Sequence, residues 1–253
     1  MTSTSSSPVA AGEGVAISAS RLALAAECPR AYRARYVGRE PEGPVPDVLA
    51  VGTLVHAALD ALGRARPAGA PPPDLAAEVE VAAVAGRTPY AAGVVAAALR
   101  ILRAAAPRLD LRDLAAVEEP WDLDLGDGYA ARGRWDRVDL PPGGGAIIWD
   151  YKTGGSVRSR ADLSEDPQVL LYLAAARARW PALPPPRARW WYVERDVPIT
   201  VAWDEDRDAG IRVAARALAR RTAERGADEA AWPGRPGPRC AWCPLAAGLA
   251  PRC

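Results

Sequence analysis

The sequence predicts an α/β fold, a mixed sheet flanked by helices, and two observations lead to this class. Helical patterns fill the first part of the chain, three strand-like stretches follow Pro107, and helix and strand patterns alternate after them. At 253 residues, 49% hydrophobic and 25% charged, the chain can bury one good core. We therefore expect a single domain over 18–253.

The first 17 residues are predicted to be a disordered tail. Residues 1–14 are small, rich in serine and uncharged apart from Glu13, without the basic and apolar regions of a signal peptide. No segment has the apolar length needed to cross a bilayer. We expect a cytoplasmic protein with no membrane partner.

Helices dominate the next region, about 18–107. Ser18 or Ser20 can cap a first helix that runs to about Val37. The Pro and Gly cluster at 67–73 separates the second helix from two alanine-rich ones. These three helices are predicted at about Val48–Gly63, Asp74–Ala85 and Ala91–Ala106.

The core is predicted over about 115–203, where the strand patterns lie. Three stretches that contain Val, Ile and Trp are separated by Gly-rich turns, which predicts an antiparallel meander. Its strands are Ala116–Leu125, Tyr129–Leu140 and Ala146–Lys152. A helix at Asp166–Trp180, strands at Ala188–Glu194 and Val197–Trp203, and a final helix at Asp204–Arg225 in a C-terminal segment of about 204–253 complete the prediction.

Lys152 is the one lysine of the chain, because all other residues in the Lys plus Arg count of 32 are arginine. An ammonium is a compact charge whose pKa shifts readily, whereas a guanidinium stays protonated. A site that needs a small cation beside a phosphate would require lysine here. The alternative is that a chain with so little lysine has placed its last one at a strand end by chance.

Acidic residues accompany this lysine. Asp150 and Lys152 are two apart in a strand and share a face, while Tyr151 points away. The preceding strand would bring Asp136 or Asp139 beside Asp150. Close carboxylates repel unless a divalent cation lies between them, so Mg²⁺ or Mn²⁺ is the expected ion; the alternative is a surface hairpin with scattered acids. Glu118 or Glu119 is a further candidate, and the sequence does not choose between them.

Three more side chains are candidates for the same site. His56 is the single histidine and falls on the second predicted helix, where a packing role is the alternative to a metal or catalytic one. Gln168 and Tyr172 are four residues apart on one face of the following helix. Together they could hold a phosphate or a base, although packing explains them as well.

The order Gly-x-x-x-His, Gly-x-x-Asp, Asp-Tyr-Lys-Thr-Gly and Gln-x-x-x-Tyr resembles the RecB-like branch of the PD-(D/E)XK nuclease superfamily. The resemblance runs from about Ser18 to the end, and implies a restriction-endonuclease-like core with a helical N-terminal insertion. It implies metal-dependent hydrolysis of DNA phosphodiester bonds.

Site roles also follow from this resemblance. Asp136, Asp150, His56 and the backbone carbonyl of Tyr151 correspond to metal ligands. Lys152 corresponds to the residue that orients the attacking water and stabilises the pentavalent phosphate. Gln168 and Tyr172 match the accessory motif of the branch.

Four cysteines form a second pattern: Cys28, Cys240, Cys243 and Cys253. The C-x-x-C pair indicates metal or redox chemistry, and spacing alone leaves an iron–sulfur cluster and zinc nearly equal. Cys28-Pro29-Arg30-Ala31-Tyr32 resembles the opening motif of RecB-like nucleases with a [4Fe–4S] cluster, of the AddB type or CRISPR-associated. This resemblance favours the cluster, which would tie the first helix to the last segment.

The net charge of +1 gives no global basic field, so a nucleic acid would have to meet local patches. The candidate arginines are Arg30, Arg33, Arg35, Arg39, Arg158 and Arg160. No Gly-x-x-x-x-Gly-Lys-Ser/Thr phosphate loop is present. The resemblance thus implies a nuclease that acts on single strands or frayed ends. It favours an exonuclease over an endonuclease. A separate helicase, recombination or CRISPR protein is the expected protein partner. A non-catalytic DNA-binding subunit and an RNA substrate are the alternatives.

Overall fold

The structure is a computed structural model that describes residues 15–38, 47–64, 74, 90–154, 156–226, 228–237 and 240. Among these residues, no helix combines the length and the apolar character that crossing a membrane requires. The helices are α1 Ala19–Glu27, α2 Pro29–Tyr32, α3 Asp47–Arg64, α4 Ala92–Ala105, α5 Arg160–Ser164, α6 Pro167–Arg179 and α7 Glu205–Arg225. The strands are β1 Ala16–Ile17, β2 Leu114–Gly126, β3 Tyr129–Asp139, β4 Ile147–Lys152, β5 Arg187–Tyr192 and β6 Val197–Ala202.

Contacts divide the chain into two compact units. The first unit comprises Met1–Glu40, Asp122–Arg132 and Arg212–Cys253, and the second comprises Pro41–Trp121 and Gly133–Ile211. In the first unit, β1 pairs in parallel with the start of β3, and Ile17 is fully buried. Ala16 and Ile17, expected at the end of a disordered tail, therefore form a strand.

The second unit contains most of the mixed sheet. Its strands run in the order β3, β4, β5 and β6, with β4 and β5 parallel and the outer pairs antiparallel. Helices α3 and α4 pack against the face that carries Tyr151 and Trp191. Because side chains alternate along a strand, Asp150 and its register partner Trp190 lie on the opposite face, where the ring of Tyr172 in α6 meets Trp190.

One glycine allows a close approach inside this unit. A Cβ at Gly133 would lie 2.3 Å from the ring of Trp121, so a larger residue cannot be placed without moving the indole. Trp121 in turn stacks on Trp135 with ring centroids 6.2 Å apart. Glycine at the start of the Gly-x-x-Asp motif is therefore a packing requirement of β3.

The α/β class with a helix-flanked mixed sheet is confirmed, and two details differ from the predictions. The first helix does not run unbroken to Val37, because Cys28 adopts an extended conformation and Pro29 starts a new helix. Arg33–Val37 then continues as a π-helical turn. The predicted helix at Asp74–Ala85 lies outside the described residues apart from Asp74.

Candidate active site

The end of strand β4 carries an acid that the fold buries. Asp150 is 2% exposed, and the antiparallel register of β3 with β4 brings Asp136 opposite to it. Asp136 Oδ2 accepts a hydrogen bond of 2.7 Å from the backbone N–H of Tyr151. Burial raises the pKa of the Asp150 carboxyl; the Lys152 ammonium opposes this rise and the Asp136 charge adds to it. A cation at this position stabilises both carboxylates.

Lys152 supplies one such cation. Its Nζ lies 2.6 Å from Asp150 Oδ2 and donates a hydrogen bond of 3.1 Å to Gln168 Oε1. It also lies 5.5 Å from the centre of the Trp190 ring. Burial lowers the pKa of the ammonium, but the charge and hydrogen bond of Asp150, together with the charges of Asp136 and Asp166, outweigh burial and raise the pKa. Lys152 is therefore a fixed positive charge at neutral pH.

Gln168 joins the lysine and the buried acid to the start of α6. The side chain of Asp166 caps this helix and accepts from the backbone N–H of Gln168. Gln168 Nε2 donates to Asp150 Oδ1 at 2.8 Å and to the Tyr172 hydroxyl at 3.0 Å. That hydroxyl donates in turn to the carbonyl of Arg134 at 2.7 Å. The chain of bonds fixes the amide orientation and leaves Oε1 for the lysine.

His56 reaches the site from α3. The helix passes close to the end of β4, because a Cβ at Gly52 would lie 3.2 Å from Thr153 Oγ1. His56 Nε2 is 2.9 Å from the Tyr151 carbonyl oxygen, and since a carbonyl only accepts, this nitrogen carries the proton. Nδ1 faces Asp136 Oδ1 at 3.5 Å.

The charge state of this imidazole is set by the acids around it. Burial lowers the pKa of His56, but the hydrogen bond and charge of Asp136, with the charge of Asp150 and the Tyr151 carbonyl, outweigh burial and raise the pKa to about 9. Glu118, Asp136 and Asp150 form the acidic cluster around this ring. Without a metal, the imidazolium is thus a cation within the acidic cluster at neutral pH, in addition to Lys152.

The structure distinguishes the two glutamates that the sequence left open. Glu118 has a left-handed backbone with φ of 45°, a conformation that costs an L-residue roughly 1 kcal/mol, and its Oε1 lies 4.0 Å from His56 Nδ1. Glu119 instead pairs with Arg179 at the surface. One ligand atom each from His56, Glu118 and Asp136 lie within 4.8 Å of one another. Glu118, and not Glu119, therefore lies beside His56 and Asp136.

The donor set fits a hard divalent cation. Carboxylate oxygens, a backbone carbonyl and one imidazole suit Mg²⁺ and Mn²⁺ better than softer metals. Asp150 Oδ2 is buried and, despite the lysine beside it, accepts no hydrogen bond of acceptable geometry from the described residues. An acceptor in this condition has capacity left for a metal ligand bond.

Most residues predicted for the site lie together. The group in the second unit consists of His56, Asp136, Asp150, the Tyr151 carbonyl, Lys152, Gln168 and Tyr172. Asp139, the alternative to Asp136, lies elsewhere and pairs with Arg137. Cys28 is buried and Cys240 partly buried, both as free thiols, whereas Cys243 and Cys253 lie outside the described residues.

The predicted basic patches are partly neutralised by neighbours. Arg30 and Arg33 line a cavity of about 260 Å³ in the first unit, where Arg33 pairs with Glu229 at 2.8 Å. In the second unit, Arg158 pairs with Asp166 and donates to the Asp162 carbonyl. Arg39 lies outside the described residues. At least one described arginine of each patch is therefore paired with an acidic residue.

The fold and site define a class: an α/β protein with paired carboxylates and a lysine at a strand end, beside a group of side chains that could bind a metal ion. The family profile of the PD-(D/E)XK nuclease superfamily matches residues 16–247. The chain therefore belongs to this superfamily of nucleases.

One solved structure supports this fold. A "Putative exonuclease" from Eubacterium rectale is similar with a TM-score of 0.57 and 11% identity, covering 92% of this chain and 87% of that one. The crystal structure of SSO0001 is also similar, with a TM-score of 0.43, 14% identity and coverage of 94% and 87%. No curated protein matches the sequence significantly.

Proposed function

We propose that the protein is a Mg²⁺- or Mn²⁺-dependent deoxyribonuclease. The observation that carries the proposal is the contact of Lys152 with Asp150, opposite Asp136, at the end of β4. Membership of a nuclease superfamily supports the reaction class, because superfamily members use divalent metals. A purely structural ion pair would not require the further acid and histidine that surround this one.

The residues that would hold the metal are Asp136, Asp150, Glu118, His56 and the Tyr151 carbonyl. When bound, the metal supplies a lower pKa for water and stabilises negative charge on the phosphate oxygens. His56 gives up its Nδ1 proton to serve as a ligand, since a protonated nitrogen cannot bind a metal.

Lys152 acts as a cation toward the substrate. Held by Asp150 and Gln168 at the end of β4, its ammonium is placed to orient the attacking water and to stabilise the negative charge that develops on the phosphate. Gln168 holds the ammonium through Oε1 and Asp150 through Nε2. Tyr172 anchors the amide to β3, which makes Gln168 and Tyr172 positioning residues of the site.

Cleavage of labelled single-stranded DNA, with matched RNA in parallel, tests the proposal. We expect DNA degradation with Mn²⁺, none with EDTA, and none by Lys152→Ala. Degradation of RNA but not of DNA would show that the substrate is RNA. DNA binding without cleavage would favour the alternative of a non-catalytic DNA-binding subunit.

We further propose an exonuclease of the RecB-like branch that acts on single strands or frayed ends. Support comes from the motif order in the sequence and from the exonuclease name of one similar structure. A helicase, recombination or CRISPR partner would open duplex DNA in repair or DNA processing. Linear single strands should be degraded while covalently closed single-stranded circles survive; equal loss of both would identify an endonuclease.

The four cysteines are proposed to hold a [4Fe–4S] cluster, with zinc as the alternative. Contacts inside the first unit support this, because the segment that leads to Cys240 touches the helices before and after Cys28: Arg235 donates to the Ala26 carbonyl, and Trp232 packs on Tyr32 with centroids 5.3 Å apart. Anaerobically purified protein should be brown and contain about four irons per chain. Colourless protein with one zinc would establish the alternative, and Cys240→Ala should lose the metal.

A further inference from the structure

Arg134 is an exposed cation beside the acidic cluster. It precedes Asp136 by two residues in β3, so both side chains project from the same face of the strand. Its side chain is 62% exposed, and its Nη1 lies 3.6 Å from Glu118 Oε2. The ion pair Arg100–Glu194, of similar exposure, is closed to 2.8 Å. The contact of Arg134 with Glu118 is therefore loose for a charge-assisted pair.

The other cations near the site already have close partners. Lys152 is held by Asp150 and Gln168. Arg158 is held by Asp166. Arg134 is thus the guanidinium best placed to exchange its partner for a phosphate oxygen, which its planar fork can bind in bidentate fashion.

Glu118 has two competing attachments. Its Oε2 faces Arg134, and its Oε1 faces His56 within the group able to bind a metal. When this carboxylate binds a divalent cation, its negative charge is neutralised and no longer attracts Arg134. In the metal-free protein, the acids repel an approaching polyanion. Arg134 is also paired with Glu118 and is less available to the polyanion.

We propose that Arg134 binds a backbone phosphate of the nucleic-acid substrate, and that Glu118 restrains it until the carboxylate is engaged by a divalent cation. The inference rests on the proposed nuclease function and adds a substrate contact to it. Substrate binding is then coupled to metal binding through one carboxylate, because the same residue serves the cation and restrains the arginine.

A double-mutant cycle in EDTA tests the coupling without any cleavage. Binding of fluorescent single-stranded DNA is measured by anisotropy for the wild type, Glu118→Gln, Arg134→Ala and the double variant. We expect Glu118→Gln to tighten binding by about 3-fold, because an exposed ion pair contributes less than about 1 kcal/mol. Arg134→Ala should remove most of that gain.

A second titration uses Ca²⁺, a hard cation that binds the same oxygen ligands. Arg134→Ala should weaken DNA binding by about 10-fold in Ca²⁺ but by less than about 2-fold in EDTA. Arg134→Lys should retain part of the affinity. Arg100→Ala is the matched control, since it removes an exposed arginine paired with Glu194, and it should bind as the wild type does.

Two results would overturn the inference. One is that Glu118→Gln tightens DNA binding equally with and without Arg134, which would show that only the lost negative charge matters. The other is that Glu118→Gln does not tighten DNA binding at all. Thermal unfolding checks that each variant is folded. Cleavage by the wild type in Mn²⁺ is measured separately. If the wild type cleaves DNA while the cycle shows no coupling, only the role of Arg134 fails; if it neither binds nor cleaves, the proposed function fails too.

Discussion

Asp136 and Asp139 are three residues apart on strand β3, yet they belong to two different environments. Asp139 accepts hydrogen bonds from Arg137 Nε at 2.6 Å, Arg137 Nη2 at 2.7 Å and Trp149 Nε1 at 2.7 Å, and it is 5% exposed. Asp136 accepts from the Tyr151 N–H and otherwise faces His56 and other acids. The fold neutralises one carboxylate with a permanent cation and leaves the other among like charges.

We infer that this difference separates a structural acid, Asp139, from a proposed metal ligand, Asp136. A buried ion pair with every lone pair satisfied stabilises the fold only while both partners are present. A cluster of acids weakens the fold, because its carboxylates repel one another until a dissociable proton or a metal ion binds. The predictions below test whether the two environments can be separated by mutation.

The largest expected effect is on activity. Lys152→Ala should lower Mn²⁺-dependent cleavage by at least about 100-fold, the scale of losing one charge that stabilises the transition state. The fold should survive, because the Asp150 carboxyl has a raised pKa and can take up a proton. Lys152→Arg is the control for ammonium geometry, and near-normal cleavage by either variant contradicts the assignment.

The next effect is on stability. Asp139→Asn leaves the Arg137 guanidinium, 3% exposed, without its counter-charge, which should cost about 3 kcal/mol of unfolding free energy. Cleavage per folded molecule should stay close to wild type. Urea unfolding combined with the cleavage rate measures both, and a stable but inactive variant would place Asp139 in the site.

A smaller effect concerns pH in the metal-free protein. The folded pKa of His56, about 9, exceeds its unfolded value of 6.5, so the folded state binds more protons between these values. The stabilisation is complete below pH 6.5 and is lost as pH rises through 9. His56→Gln should flatten the fall in melting temperature over this window, whereas an unchanged slope would show that the imidazole is not the titrating group.

The smallest effect separates the neighbouring glutamates. Glu119→Gln removes a surface ion pair with Arg179 and should change cleavage by less than about 2-fold and stability by less than about 1 kcal/mol. Glu118→Gln should raise the Mn²⁺ concentration needed for half-maximal cleavage by about 10-fold. Equal responses of the two variants would remove Glu118 from the proposed ligands.

Much of this site was predictable from the sequence, because strand alternation, the hairpin and the motif spacing already place Asp150 with Lys152 and with an acid of β3. The strand pattern alone left Asp136 and Asp139 open, and the motif order of the resemblance selected Asp136. The structure adds the physical reason, the register of β3 with β4 and the pairing of Asp139 with the buried Arg137, which no local pattern indicates. The choice of Glu118 depends on its left-handed backbone. The break in the first helix at Cys28 could have been predicted, because Pro29 favours a helix start, but the prediction placed one continuous helix across both residues.

The most direct test compares Asp136→Asn with Asp139→Asn in one experiment. Each variant is assayed for Mn²⁺-dependent cleavage of single-stranded DNA and for thermal unfolding with and without Mn²⁺. Asp136→Asn should be inactive and no longer stabilised by Mn²⁺, while Asp139→Asn should be less stable, active when folded and still stabilised by Mn²⁺. An active Asp136→Asn protein that Mn²⁺ still stabilises would contradict the account.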